Sequence, residues 1–173
     1  ALQIRVHSLE VGDQSAFDLS EFVNSGKYDT VFLKEKIGAY VASIQDPVLK
    51  KLVEANLEYV GEAFYQYPAA TRNHHDFVGG LATHVYGMLE LADAMCKIYD
   101  IYNRDLLVSG VILHDLGKVE EYTAAMLSEY SVEGKLLGHI SIAHANFNHI
   151  AENLNLEKSM QDAINSLQIA IAW

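Results

Sequence analysis

"VILHDLGKVEEY", residues 111–122, sets a histidine and an aspartate side by side at the end of an apolar run, with a glycine and a lysine close behind. Upstream, Leu107, Gly110, Val111 and His114 fall on one helical face. The pattern predicts a helix from Leu106 to about Leu116, capped by Asp105, with Gly117 as its left-handed terminator. His114 then points inward, and Asp115 follows about 100° round the helix. A carboxylate there is opposed twice. The helix dipole is negative at that end, and burial strips the charge of water. On these grounds Asp115 is expected to have a raised pKa, with protonated histidines nearby opposing the rise. A bound divalent cation would reverse both penalties. Imidazole together with carboxylate suits manganese, iron or zinc.

Working outward, seven of the eight histidines lie between residues 74 and 149. His84 shares a face with Leu81 and Met88, so it too points inward. His139 opens a later helix, with Ala143, Asn146 and Ile150 on its face. Three histidines on three helices therefore aim at one interior, and His84, His114, Asp115 and His139 are the candidate ligand set. One inward histidine alone is usually a hydrogen-bonded core residue, and a His-Asp pair alone is a weak signal. Their combination is what carries the reading. An aspartate has two oxygens and can bridge two metals, an arrangement that activates water for phosphoryl displacement.

Lys118 stands just past Gly117, placed either to partner the helix end or to meet a substrate phosphate as a point charge. Arg72, His74 and His75 occupy a loop that leads directly into the His84 helix, and substrate contact is expected of them. His144 and His149 read as surface residues. The Met and aromatic stripe along 85–99 reads as core, and Cys96 as buried packing. His7 has no role that the pattern supports.

The rest of the chain is helical in pattern. Leu33, Ile37, Tyr40, Val41 and Ile44 recur at helical spacing. Asp46 and Pro47 restart a helix whose apolar face runs through Leu49, Leu52, Val53, Val60, Ala63 and Phe64 to Tyr67-Pro68. Another runs from Leu81 to Tyr99. Helices from about Gly138 to Asn153 and from about Ser159 complete an all-α domain of about six or seven helices. A short capped turn is expected after Asp18. Only "LQIRVHSL", residues 2–9, alternates as a strand does, and residues 1–12 read as an extended N-terminal arm without a pairing partner. Residues 13–173 form the helical domain. The arm and the apolar final run suggest a piece of a longer protein.

The 173 residues carry a formal charge of -11, which excludes a broad basic surface for nucleic acid. No apolar run approaches the roughly 20 residues that span a bilayer, so no membrane partner is expected. The lone Cys96 excludes an internal disulfide framework and fits a reducing compartment, with cytoplasm as the expectation.

His84 followed by the His114-Asp115 pair resembles the signature of the HD metal-dependent phosphohydrolase superfamily. "YPAATRNHHDFVGGLATHV", "RDLLVSGVILHDLGKVEEY" and "YSVEGKLLGHISI" are similar, more narrowly, to the HD domain of the YhaM family of 3'-to-5' exoribonucleases. The resemblance covers about residues 20 to 155. It implies an HD-domain helical bundle with His84, His114, Asp115 and His139 as metal ligands. It matches Lys118 to the family's lysine and His74 and His75 to its paired histidines. It also implies one or two divalent ions, manganese or iron, and hydrolysis of single-stranded RNA or DNA from the 3' end. The arm then resembles the last strand of a preceding OB-fold. The family's "HHG" segment and final aspartate are expected beyond Trp173, so that an inactive piece is among the expectations. Two other functions stay open: a nucleotide phosphohydrolase of the same superfamily, and a non-catalytic HD domain used for assembly or regulation. Self-association as a homo-oligomer is open as well.

Overall fold

The computed structural model of the chain describes residues 5, 7–8, 26–70, 77–125, 129–154, 156–158 and 162. The fold class is all-α. Among the described residues there are six α-helices, one 3-10 turn and an isolated bridge between Tyr122 and Tyr130. No helix among them is long and apolar enough to cross a membrane. The turn after Asp18 and most of the expected arm and of the helix from Ser159 lie outside the described residues; Lys158 and Asp162 are helical.

Helix α1 (Thr30–Ser43) starts where the Asp29 side chain accepts the Phe32 N–H at 2.7 Å. Helix α2 (Pro47–Val60) starts on Asp46, whose Oδ1 accepts from Val48 and Leu49, with proline in the first turn. It ends sooner than the apolar spacing suggests. Gly61 takes φ 57°, and Gly61–Tyr65 winds as the 3-10 turn. The spacing of Val60, Ala63 and Phe64 suits either helix type, so periodicity alone could not see the break.

Helix α3 (Gly80–Ile98) and α4 (Arg104–Leu113) pack on each other. The cap of α4 is Asn103, which accepts the Leu106 N–H at 3.0 Å, not Asp105. Asp105 instead accepts from the backbones of Gln45 and Asp46 at 2.9 and 2.8 Å, tying the α1–α2 link to α4. Arg104 adds a second tie, to Asp93 of α3 at 2.8 Å and Ser43 of α1 at 3.1 Å.

Helix α4 stops at Leu113, so His114 is its cap and Asp115 lies in the turn beyond. Gly117 is not left-handed: its φ is -62°. It is glycine because α6 crosses it closely. A Cβ there would run into the His139 carbonyl oxygen and come within 2.8 Å of the Ala143 nitrogen. The sequence signal for a terminator was right about a turn and wrong about its cause. Helix α5 is a single turn, Lys118–Glu121. Helix α6 (Val132–Asn153) begins earlier than expected, on a Ser131 cap, and breaks at Gly138, where φ is 71° and ψ 158°. The expected start near Gly138 was therefore the start of its second segment.

The core gathers Leu33, Ile37, Leu52, Val53, Leu81, Val85, Leu89, Ile112 and Phe147, all but sealed from solvent. Each such side chain contributes roughly 1.5–3 kcal/mol relative to an exposed one. The stripe on α3 is core only as far as Ala92. Met95, Ile98 and Tyr99 are exposed, and Cys96 is half-buried. What the core does for function is to hold α4 against α3, with the short α5 that follows it packed on α6.

Candidate metal centre

Asp115 is the hub. It is 3% exposed, and His114 beside it is equally buried. Three imidazoles face its carboxylate from three helices or their ends. His84 Nε2 lies 3.6 Å from Oδ2, His114 Nε2 3.3 Å from Oδ2, and His139 Nε2 3.4 Å from Oδ1. The His84 and His114 ring centroids are 5.6 Å apart. Lys118 Nζ closes on Oδ2 at 2.7 Å.

The structure thus brings together five of the residues singled out from sequence: His84, His114, Asp115, Lys118 and His139. Within that group His84, His114 and Asp115 are tightest, with ligand atoms all inside 4.8 Å of one another. His139 approaches from the other carboxylate oxygen. Arg72, His74 and His75 lie outside the described residues. His149 is on the surface as expected, whereas His144 is half-buried.

Each histidine's far nitrogen says which way it is held. His114 Nδ1 lies 2.7 Å from the Val111 carbonyl. A carbonyl only accepts, so a neutral His114 keeps its proton on Nδ1 and turns the Nε2 lone pair to Asp115. His139 Nδ1 lies 3.0 Å from Glu121 Oε1, and the same oxygen accepts the His139 backbone N–H at 3.0 Å. A neutral His139 is set the same way. Nitrogen lone pairs and a carboxylate facing each other in a buried space require positive charge. Lys118 supplies it here, and protonated imidazole can add to it.

The pKa of Asp115 follows. Burial pushes it up, as expected from sequence. The hydrogen bond and charge that His114 offers when its ring is protonated and the Lys118 ammonium together pull harder, and the carboxyl lies well below its usual range. The expected rise is therefore corrected, because the neighbours outweigh desolvation and Asp115 lies past the helical turn. Glu121 behaves alike. Burial raises it, but His139 and Lys118 bring it below its ordinary value.

The donor set fits a first-row divalent metal. Bond lengths of about 2.0–2.2 Å put neighbouring ligands roughly 3–3.5 Å apart, and the observed donor spacings of 3.3, 3.4 and 3.6 Å are close to this.

Glu121 was not singled out from sequence. In "KVEEY" it reads as one of two solvated acids. Glu120 is indeed exposed, where it accepts from Tyr59 of α2 and Asn146 of α6. Glu121 is 6% exposed and turned inward. Only the packing of α5 on α6 separates the two, and no local pattern encodes it.

The family model described as "HD domain" matches residues 81–171, more than half of the chain. The 3'-5' exoribonuclease YhaM of Geobacillus sp. (strain WCH70) is 40% identical over 156 residues, which cover 90% of this chain and 48% of that protein. The chain thus spans about half the length of that curated relative. No solved structure matches the chain.

Proposed function

From the premise that this chain belongs to the HD-domain family, we propose that it is the hydrolytic part of a metal-dependent phosphodiesterase that shortens single-stranded RNA from the 3' end. One observation carries the chemical half: three imidazole Nε2 atoms surround the two oxygens of a buried aspartate. A family of this kind implies a divalent metal, and manganese or iron suits imidazole with carboxylate. The substrate half rests on likeness to the exoribonuclease.

In this reading His84, His114, Asp115 and His139 would hold the divalent ions, with Asp115 as their shared ligand. Bound ions of this type supply Lewis acidity and an activated water at neutral pH. The chain's own part is orientation. The Val111 carbonyl and Glu121 fix two imidazoles, and Asp115 keeps its charge because cationic groups surround it. Lys118 is the counter-ion of Asp115, 2.7 Å away. With positive charge already at Asp115, its ammonium is free to swing to a phosphate oxygen and to neutralise charge as it develops. Arg72, His74 and His75 complete the proposal as contacts to the strand. A cytoplasmic location suits an RNA substrate and a reduced Cys96.

The test uses the full-length protein with 5'-labelled single-stranded RNA, single-stranded DNA and free nucleotides, each with manganese. Stepwise shortening of RNA from the 3' end is expected. Hydrolysis of free nucleotides alone would favour the nucleotide phosphohydrolase. Asp115→Asn should lose bound metal and hydrolysis together, and unchanged metal stoichiometry in that variant would remove the bridging role.

A further inference from the structure

We propose that Glu121 is a positioning residue of the metal centre: its buried carboxylate grips His139 at both Nδ1 and the backbone N–H, so that the ring can present only Nε2 to Asp115. Its consequence rests on the metal reading above, and its geometry on the two hydrogen bonds that Glu121 accepts from His139.

Three features of the chain converge on this carboxylate. The first is the break in α6. At Gly138 the backbone adopts φ 71°, which a residue with a Cβ rarely takes. The break leaves the His139 N–H at the start of a new helical segment. Glu121 Oε1 accepts it at 3.0 Å and so caps the segment from another helix. The second is the bond to the ring. The same oxygen lies 3.0 Å from His139 Nδ1. An ionised carboxylate can only accept, so Nδ1 must carry a proton. The third is how Glu121 is seated. Ser131 N–H donates to its carbonyl at 2.9 Å, and a Cβ on Gly134 would run into its backbone. Glycine at 134 therefore lets α6 approach the Glu121 backbone, and glycine at 138 permits the bend that brings His139 to its carboxylate. The result is a rigid chain from Glu121 through His139 to Asp115 Oδ1.

A histidine that donates its far N–H to a carboxylate is a better and better-aimed metal ligand, and loss of such a partner typically costs about 10–100-fold in metal affinity. The alternative is that Glu121 is only a helix cap. A cap would affect stability and leave the ring's proton position and the metal affinity alone.

The experiment compares full-length wild type, Glu121→Gln, Glu121→Ala and His84→Ala. Metal-free protein is examined by long-range proton–nitrogen NMR of the imidazoles, and manganese affinity is measured by titration calorimetry. Wild-type His139 should carry its proton on Nδ1. Glu121→Gln keeps an acceptor oxygen, so it should fold, keep the Nδ1–H form and bind manganese about tenfold more weakly. Glu121→Ala should lose the single tautomer and bind up to about 100-fold more weakly. If Glu121→Ala fails to fold, Glu121→Gln decides. Unchanged manganese affinity in Glu121→Gln, or an Nε2–H tautomer in wild type, would overturn the proposal. His84→Ala separates the two levels: should it bind manganese like wild type, the metal reading itself falls. The tautomer comparison then still decides whether Glu121 sets His139.

Discussion

Gly117→Ala puts one methyl group where α6 crosses the turn after Asp115. No penalty comes from backbone angles, since φ is -62° and ψ -15°. By itself such a change gains about 0.4–1 kcal/mol by restricting the unfolded chain. The steric effect has the opposite sign. The new carbon meets the His139 carbonyl oxygen and sits 2.8 Å from the Ala143 nitrogen. Both are backbone atoms of a helix, so no side chain can rotate away. Overpacking costs about 1–3 kcal/mol, and a clash with backbone belongs at the upper end. The net loss should be roughly 2 kcal/mol, or about 4–8 °C in Tm for a domain of this size. Gly61→Ala is the control, because a Cβ there meets nothing within 4 Å and only the φ of 57° opposes it. Urea and thermal unfolding of both variants would be compared. Because the clash lies on His139, Gly117→Ala should also weaken manganese binding, which Gly61→Ala should leave alone. A Gly117→Ala variant as stable as wild type would refute the close crossing of α6.

Two other outcomes are expected. Lys118→Ala removes the cation 2.7 Å from a buried carboxylate, so the metal-free protein should lose about 3 kcal/mol, manganese should raise its Tm more than it raises wild type's, and turnover should fall; an unchanged manganese-induced rise would deny that Lys118 stands in for an ion. Asp93 is held below its ordinary pKa by hydrogen bonds from Lys97 and Arg104. A depressed carboxylate contributes stability that is present above its unfolded pKa of about 3.9 and is lost as pH falls through the lower folded value. Urea midpoints of wild type should therefore fall faster than those of Asp93→Asn below about pH 4, by ~1 kcal/mol in all for a partly exposed pair; parallel curves would show that the network adds no pH dependence.

The helices were legible because their faces are strongly periodic and their caps are chemically plain, as at Asp46-Pro47. His84, His114 and His139 were legible as inward-facing because each sits among apolar residues at helical spacing. Two kinds of feature stayed hidden. One is which of several polar residues makes a contact: Asp105 looked like the cap of its own helix and instead serves the α1–α2 link, leaving Asn103 to cap. The other is any role set by two distant segments meeting. Gly117 is small for the sake of α6, and Glu121 differs from Glu120 only through what α6 brings to it. Neither fact has a local signature, since both are created when α5 docks.

The four-residue α5 has a consequence for how chains of this kind can vary in length. It joins Asp115 to Glu121 by little more than one helical turn, and both carboxylates must face the same histidine, His139. Adding or deleting one residue between them would turn Glu121 by about 100° about the helix axis and carry it off His139. An insertion or deletion between Asp115 and Glu121 should therefore be tolerated less well than a substitution at Glu120, which is exposed.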